Sequence, residues 1–233
     1  RTTRSLKLTE LGAQVYAGCT RMLSEAREIH SLAGSYAARP NGQIRISAPV
    51  VLGQIWLAPR LPAFLARYPE VSVQLNLLDR QVDLVEDGVD VAIRIARELP
   101  DGLISRPLFA MRYVLVASPA YLARRGLPTT PQDLSAHDCI HLGYGVFGSD
   151  WTLTQAEQVV QVKVCGRATV NNSAAMLAMV EADGGIGLLP DFSAQAAVQA
   201  GRVLPVLADW SLARPYTGRV HAVYMPGQHL PLK

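Results

Sequence analysis

From Thr9 onward, small or apolar residues recur at alternating steps of three and four: Gly12, Val15, Cys19, Met22, Ala26, Ile29, Ala33 and Tyr36. Such spacing keeps one stripe on one side of a helix, as a heptad seam, and leaves Arg21, Glu25, Arg27 and Glu28 largely off it. Thr9 is suited to cap this helix, and Arg39-Pro40-Asn41-Gly42 ends it in a short linker. Several seam positions are small or polar, so a coiled coil standing alone would be weak. The alternative is an amphipathic helix packed on its own domain.

A second organisation begins at Gln43. The pattern predicts a strand at 43–47, a turn at Pro49, an apolar helix at 51–66, and a strand at 71–78. A short helix at 79–87, closed by Gly88, and a third strand at 90–96 follow. Strands and helices alternating at this length mean βαβ units and a parallel sheet with covered faces. Further strands are expected at 113–117, 139–142, 159–164, 168–170 and 186–189, with a helix at 173–182 broken by Gly184-Gly185. Strand-like stretches at 204–207 and 219–225 come last. The simplest arrangement is two α/β lobes on two open sheets. The chain crosses between them near 118 and returns near 203, leaving a cleft at the strand ends, where α/β folds place ligands.

Composition changes this picture in three ways. The 233 residues suffice for one large or two small α/β domains. The net charge of +3 is unevenly divided: residues 1–45 hold seven Lys/Arg against three Glu, so the remainder carries −1. A basic N-terminal segment on a near-neutral body suggests an end that faces something anionic. The three cysteines, Cys19, Cys139 and Cys165, are odd in number and lack CxxC spacing, which argues for reduced thiols in a cytoplasm. No apolar run is long enough to cross a bilayer, and the opening residues do not read as a signal peptide.

Catalytic patterns are thin. Gly143-Tyr144-Gly145-Val146-Phe147-Gly148 matches GxGxxG, but Ser149-Asp150-Trp151 follows as strand or turn, without the helix whose N-terminus would hold a pyrophosphate. The five histidines show no HExxH spacing, and no serine sits in a GxSxG elbow. In Asp138-Cys139-Ile140-His141, the cysteine and histidine share a strand face while Asp138 points away. A buried cysteine and a surface histidine explain that group. No cofactor, metal or catalytic residue is expected. More informative are two helix starts, Ser47-Ala48-Pro49-Val50-Val51 and Asn171-Asn172-Ser173, one in each lobe. Their unpaired N–H groups and side chains could meet a shared small molecule.

Arg1-Thr2-Thr3-Arg4-Ser5-Leu6-Lys7-Leu8-Thr9-Glu10-Leu11-Gly12 resembles the end of the DNA-binding domain of LysR-type transcriptional regulators. The resemblance continues through Ile44-Arg45-Ile46-Ser47, Leu57-Ala58-Pro59-Arg60-Leu61, Arg67-Tyr68-Pro69-Glu70-Val71 and the run from Asp83 to Arg94. It extends to Ser105-Arg106-Pro107-Leu108 and Gly185-Ile186-Gly187-Leu188-Leu189-Pro190. Each fragment is weak alone; their order and spacing are specific and cover nearly the whole chain.

The resemblance implies a regulator and not an enzyme: an α/β effector domain of two periplasmic-binding-protein-like (type II) lobes with a ligand cleft, preceded by a long linker helix. Residues 1–8 would end the DNA-binding wing and 9–42 would form the linker and dimerisation helix. Residues 43–118 with 204–233 would make lobe I, and 119–203 lobe II. Family members are cytoplasmic, assemble as dimers or tetramers, and bind promoter DNA and a small-molecule effector. The effector site carried over comprises Pro49, Val50, Val51, Asp79, Arg80, Arg94, Tyr144, Asn171, Asn172 and Ser173. Arg80, Arg94 and the helix starts point to an anionic or carboxylate-bearing metabolite. Arg1, Thr2, Thr3 and Arg4 would be wing residues on the DNA backbone or minor groove. The sequence starts after the family's helix-turn-helix and stops short of its usual closing helix, so this exact chain is expected to bind specific DNA poorly. The alternatives are a solute-binding protein of the same two lobes serving uptake, and a transferase built on them.

Overall fold

The structure, a computed structural model, describes residues 9–34, 40–80, 82–96, 102–143, 148–213 and 215–226. The wing residues Arg1, Thr2, Thr3 and Arg4, and Tyr144 in the second lobe, lie outside the described residues. Helix α1 (Glu10–Gly34) follows the heptad pattern closely. Its cap is the expected one, with the Gly12 N–H donating to Thr9 Oγ1 at 3.1 Å. Leu11, Val15, Tyr16, Met22 and Leu23 are all more than half exposed, so this helix leaves apolar side chains unburied within the chain.

Strand β1 (Gly42–Ala48) pairs in parallel with β2 (Val71–Leu77) and with β3 (Val91–Ala96). Between β1 and β2 runs a helical stretch broken into α2 (Val50–Leu52), a π-turn (Gly53–Leu57), a 3-10 turn (Ala58–Arg60) and α3 (Leu61–Arg67). Pro59 and Pro62 remove two N–H donors here, and the ladder adjusts its pitch around them. Gly53 lets β2 pack close: a Cβ there would stand 2.1 Å from Leu77 Cδ2, and that side chain would have to move.

Strand β4 (Ile104–Ala117) is the structural axis. Its first part, 104–112, pairs antiparallel with β12 (Thr217–Tyr224), which lies on β3. From Tyr113 onward β4 pairs with β9 (Ile186–Pro190) and β10 (Leu204–Val206). β9 carries β5 (Cys139–Leu142), and β5 carries β8 (Thr169–Val170), both in parallel. The result, among the described residues, is one mixed sheet of nine strands. A separate three-stranded sheet has the order β11 (Ser211–Leu212), β6 (Asp150–Gln155), β7 (Gln158–Lys163). Helices α4 (Pro119–Arg125), α5 (Ser173–Glu181) and α6 (Asp191–Gln199) complete the second half.

Three expectations are corrected. The two α/β lobes of the expected fold are present, but their sheets were expected to be separate and instead meet through β4. Strand was expected only at 113–117, but β4 begins at Ile104; Pro107 cannot donate to a ladder, and a β-bulge beside it, where Val220 and His221 face Phe109 and Pro107, absorbs the irregularity. Along β4 the pairing partner changes from β12 to β9 at Arg112/Tyr113. β10 pairs with β4 and β11 with β6, both on strands of the second half. Finally, the helix expected at 79–87 is a turn. Asp83 Oδ1 accepts from the Val85 and Glu86 N–H groups as a cap would, but only one turn forms, with the Asp87 N–H on the Asp83 carbonyl, before Gly88 at positive φ ends it.

One continuous core runs beneath both halves, including Leu52, Ile93, Met111, Val116, Trp151, Val180 and Leu188. Cys139 is buried, its thiol pushed up to about 12 by that burial, so it is an inert core residue. His137 is buried with Nδ1 3.1 Å from the Tyr121 hydroxyl, which also accepts the Asp138 N–H. Burial first, and the Arg125 charge next, hold this imidazole below its ordinary value of 6.5. The unfolded chain then binds the extra proton more readily. The corresponding stability is complete above 6.5 and is lost as pH falls towards and through the depressed value. Urea midpoints measured downward from pH 7 are expected to drop in this window, with a shallower slope in His137→Gln. An equal slope in both proteins would contradict this assignment.

Candidate effector cavity

The carboxyl ends of β1, β2, β3 and β5 meet the N-termini of α2, α5 and α6 around one cavity of about 70 Å³. The first half contributes Pro49, Val51, Leu52, Asp79 and Ile95. The second half contributes Leu142, Asn171, Asn172, Ser173, Pro190 and Phe192, and Tyr113 stands at the join. The wall is chiefly apolar with a few polar groups, the usual make-up of a small-molecule site.

Each polar group is held by local chemistry. Leu78 N–H donates to the Ala48 carbonyl at 2.9 Å and Val50 N–H to Asp79 Oδ1 at 3.0 Å, which ties the β1–α2 turn to the end of β2. Asn172 caps α5, its Oδ1 accepting from the Ala174 and Ala175 N–H groups at 2.9 and 3.1 Å. Asp191 Oδ1 accepts the Phe192 N–H at 2.9 Å in the first turn of α6. The buried hydroxyls of Ser173 and Ser193, 2.9 Å apart, lock α5 to α6. At the join, the Tyr113 and Tyr216 rings meet edge to face, and the Tyr216 hydroxyl donates to the Gly148 carbonyl at 3.2 Å.

Of the residues expected around the effector, Pro49, Val51, Asp79, Asn171, Asn172 and Ser173 line this cavity. Val50 is adjacent, its N–H on Asp79. Arg80 turns away to Asp87 in a two-pronged pair, at 2.7 and 3.1 Å. Arg94 is on the opposite face of β3 from Ile95; it is half-buried, and donates to Ser47 Oγ at 3.2 Å and to the Ile93 carbonyl at 2.8 Å. Neither arginine lines the cavity. Sequence reasoning missed Leu52, Ile95, Tyr113, Leu142, Pro190 and Phe192. Ile95 and Leu142 sit near carboxyl ends of strands, where the ligand rule for open α/β sheets points. Tyr113 and Phe192 carried no local signal. Gly148, at the end of the GxGxxG run, leads into β6 and not a helix.

Among the described residues no three His, Cys, Asp or Glu side chains gather at metal-binding distance, and no described helix is long and apolar enough to cross a membrane. Residues 37–233 match the family described as the LysR substrate binding domain. The chain is 36% identical over its whole length to a probable HTH-type transcriptional regulator, LtrA, of Klebsiella pneumoniae, covering 75% of that protein. It is 30% identical to the HTH-type transcriptional activator TtdR of Escherichia coli, over 96% of this chain and 71% of that one. In structure it is similar to the full-length Vibrio cholerae virulence activator AphB, with TM-score 0.76 and 28% identity over 100% of this chain and 79% of that one. CrgA of Neisseria meningitidis matches at TM-score 0.75 and 28% identity, over 100% and 78%. None of these relatives is named as a transport binding protein or a transferase. The chain belongs to the LysR-type transcriptional regulators, with residues 37–233 as its effector-binding domain.

Proposed function

We propose that a compact effector seated in the cavity between the two halves biases their arrangement, and that the intact regulator converts this bias into altered promoter binding in the cytoplasm. The observation that carries the reading is the cavity itself: both halves line it, and the halves share β4, so a ligand touching both has differential contact with any two arrangements. The effector residues in this reading are Pro49, Val51, Asp79 and Asn171 to Ser173. Residues 1–8 would belong to the wing, with Arg1, Thr2, Thr3 and Arg4 meeting phosphate or minor groove. Helix α1, with Leu11, Val15 and Met22 exposed, would join protomers as a dimer or tetramer.

Linkage supplies the test. If effector occupancy changes operator affinity by some factor, operator DNA changes effector affinity by the same factor. Titrating effector into the full regulator with and without saturating operator is expected to give different dissociation constants. Identical constants would contradict the proposal.

A further inference from the structure

We propose that the cavity selects a compact ligand bearing an ammonium group on an apolar body and discriminates against carboxylates; this rests on reading the cavity as the effector site.

The charge around the cavity decides the matter. Asp79 is the side chain of its described wall that carries charge at neutral pH, and it is exposed. Asp79 Oδ1 takes the Val50 N–H, while Oδ2 accepts no hydrogen bond from the described residues. The nearby cations are engaged elsewhere. The Arg80 guanidinium is forked onto Asp87, and Arg94 lies under the other face of β3 on Ser47. Arg112 is 80% exposed and sits 3.8 Å from Asp191.

Part of the N–H set at the helix starts, which would ordinarily draw an anion, is taken within the chain: Val50 by Asp79, Ala174 and Ala175 by Asn172, and Phe192 by Asp191. Asp79 therefore occupies the place at α2 that a ligand carboxylate would take. An incoming carboxylate would have to displace it and remain beside it, as like charges in contact. An ammonium group gains both the second carboxylate oxygen and the charge. Leu52, Leu142 and Phe192 supply the apolar surface for a short carbon chain.

The test uses two probes of one skeleton, n-butylammonium and butyrate, titrated at equal ionic strength into isotopically labelled protein. Amide resonances of Val51, Leu142 and Phe192 report on the cavity. Butylammonium is expected to shift them saturably and butyrate to leave them in place. Asp79→Asn keeps an acceptor for Val50 but removes the charge, and is expected to weaken butylammonium about tenfold. Shifts with butyrate equal to or larger than those with butylammonium would overturn the charge assignment while leaving the cavity as the effector site. Undiminished butylammonium affinity in Asp79→Asn would also overturn it. If neither probe moves these amides, or both act elsewhere, the inference falls together with the reading of the cavity.

Discussion

Replacing Trp151 by alanine is expected to lower the unfolding free energy by about 3–5 kcal/mol, a large share of the roughly 5–15 kcal/mol that holds a typical domain. Trp151 is fully buried in β6, and its Nε1 donates to the Gly148 carbonyl at 3.1 Å. The Tyr216 hydroxyl donates to the same carbonyl, so the indole closes the core and fixes the strand entry beside the join. Truncation leaves a void among Leu153, Val162 and their neighbours in the core and removes one of the two donors to Gly148. Urea unfolding should show a lowered midpoint with an unchanged slope. Trp151→Phe, which keeps most of the volume, should lose distinctly less. A loss below about 1 kcal/mol in the alanine variant would mean that the core relaxes around the gap.

Filling the cavity should have the largest functional effect. Ile95 lines it yet is 37% exposed, so a larger side chain can be added at the end of β3 without forcing the core. With Ile95→Trp, effector affinity is expected to fall about a hundredfold or more, equivalent to about 2.7 kcal/mol or above. Helicity and the urea midpoint should stay close to those of the parent. Ile95→Ala, which widens the same wall, should retain effector binding. Calorimetric titration of all three proteins separates the outcomes. Unchanged affinity in the folded tryptophan variant would move the effector site elsewhere.

Much of the fold was legible because periodicity carries it. The step of three and four along α1, and the strand–helix–strand run from Gln43 to Leu77, follow directly from the alternation of apolar and polar positions. What was not legible depends on partners far away in sequence. Pro107 argues locally against a strand, and only the bulge opposite Val220 and His221 makes one possible. Asp83 and Asp87 read as members of a helix, of which only one turn forms before Gly88. Arg94 was recoverable in principle: a period of two along β3 puts it on the face opposite Ile93 and Ile95. Half the cavity was found from helix starts and the family resemblance. Tyr113 and Phe192 were not, because the sheet halves that bring them together meet only in the folded chain.

The position of β12 also sets an order of assembly. Within the first half of the sheet the strands run β2, β1, β3, β12, β4, so the strand between β3 and the front of β4 is made of residues 217–224. The second half, from Tyr113 to Leu212, has its strand partners in place before that point. During synthesis, at roughly 5–20 residues per second, the later half can therefore close while β3 and 104–112 wait with open backbone edges. In a chain truncated after Leu212, limited proteolysis is expected to cut the first half, which lacks β12 between β3 and β4, faster than the second.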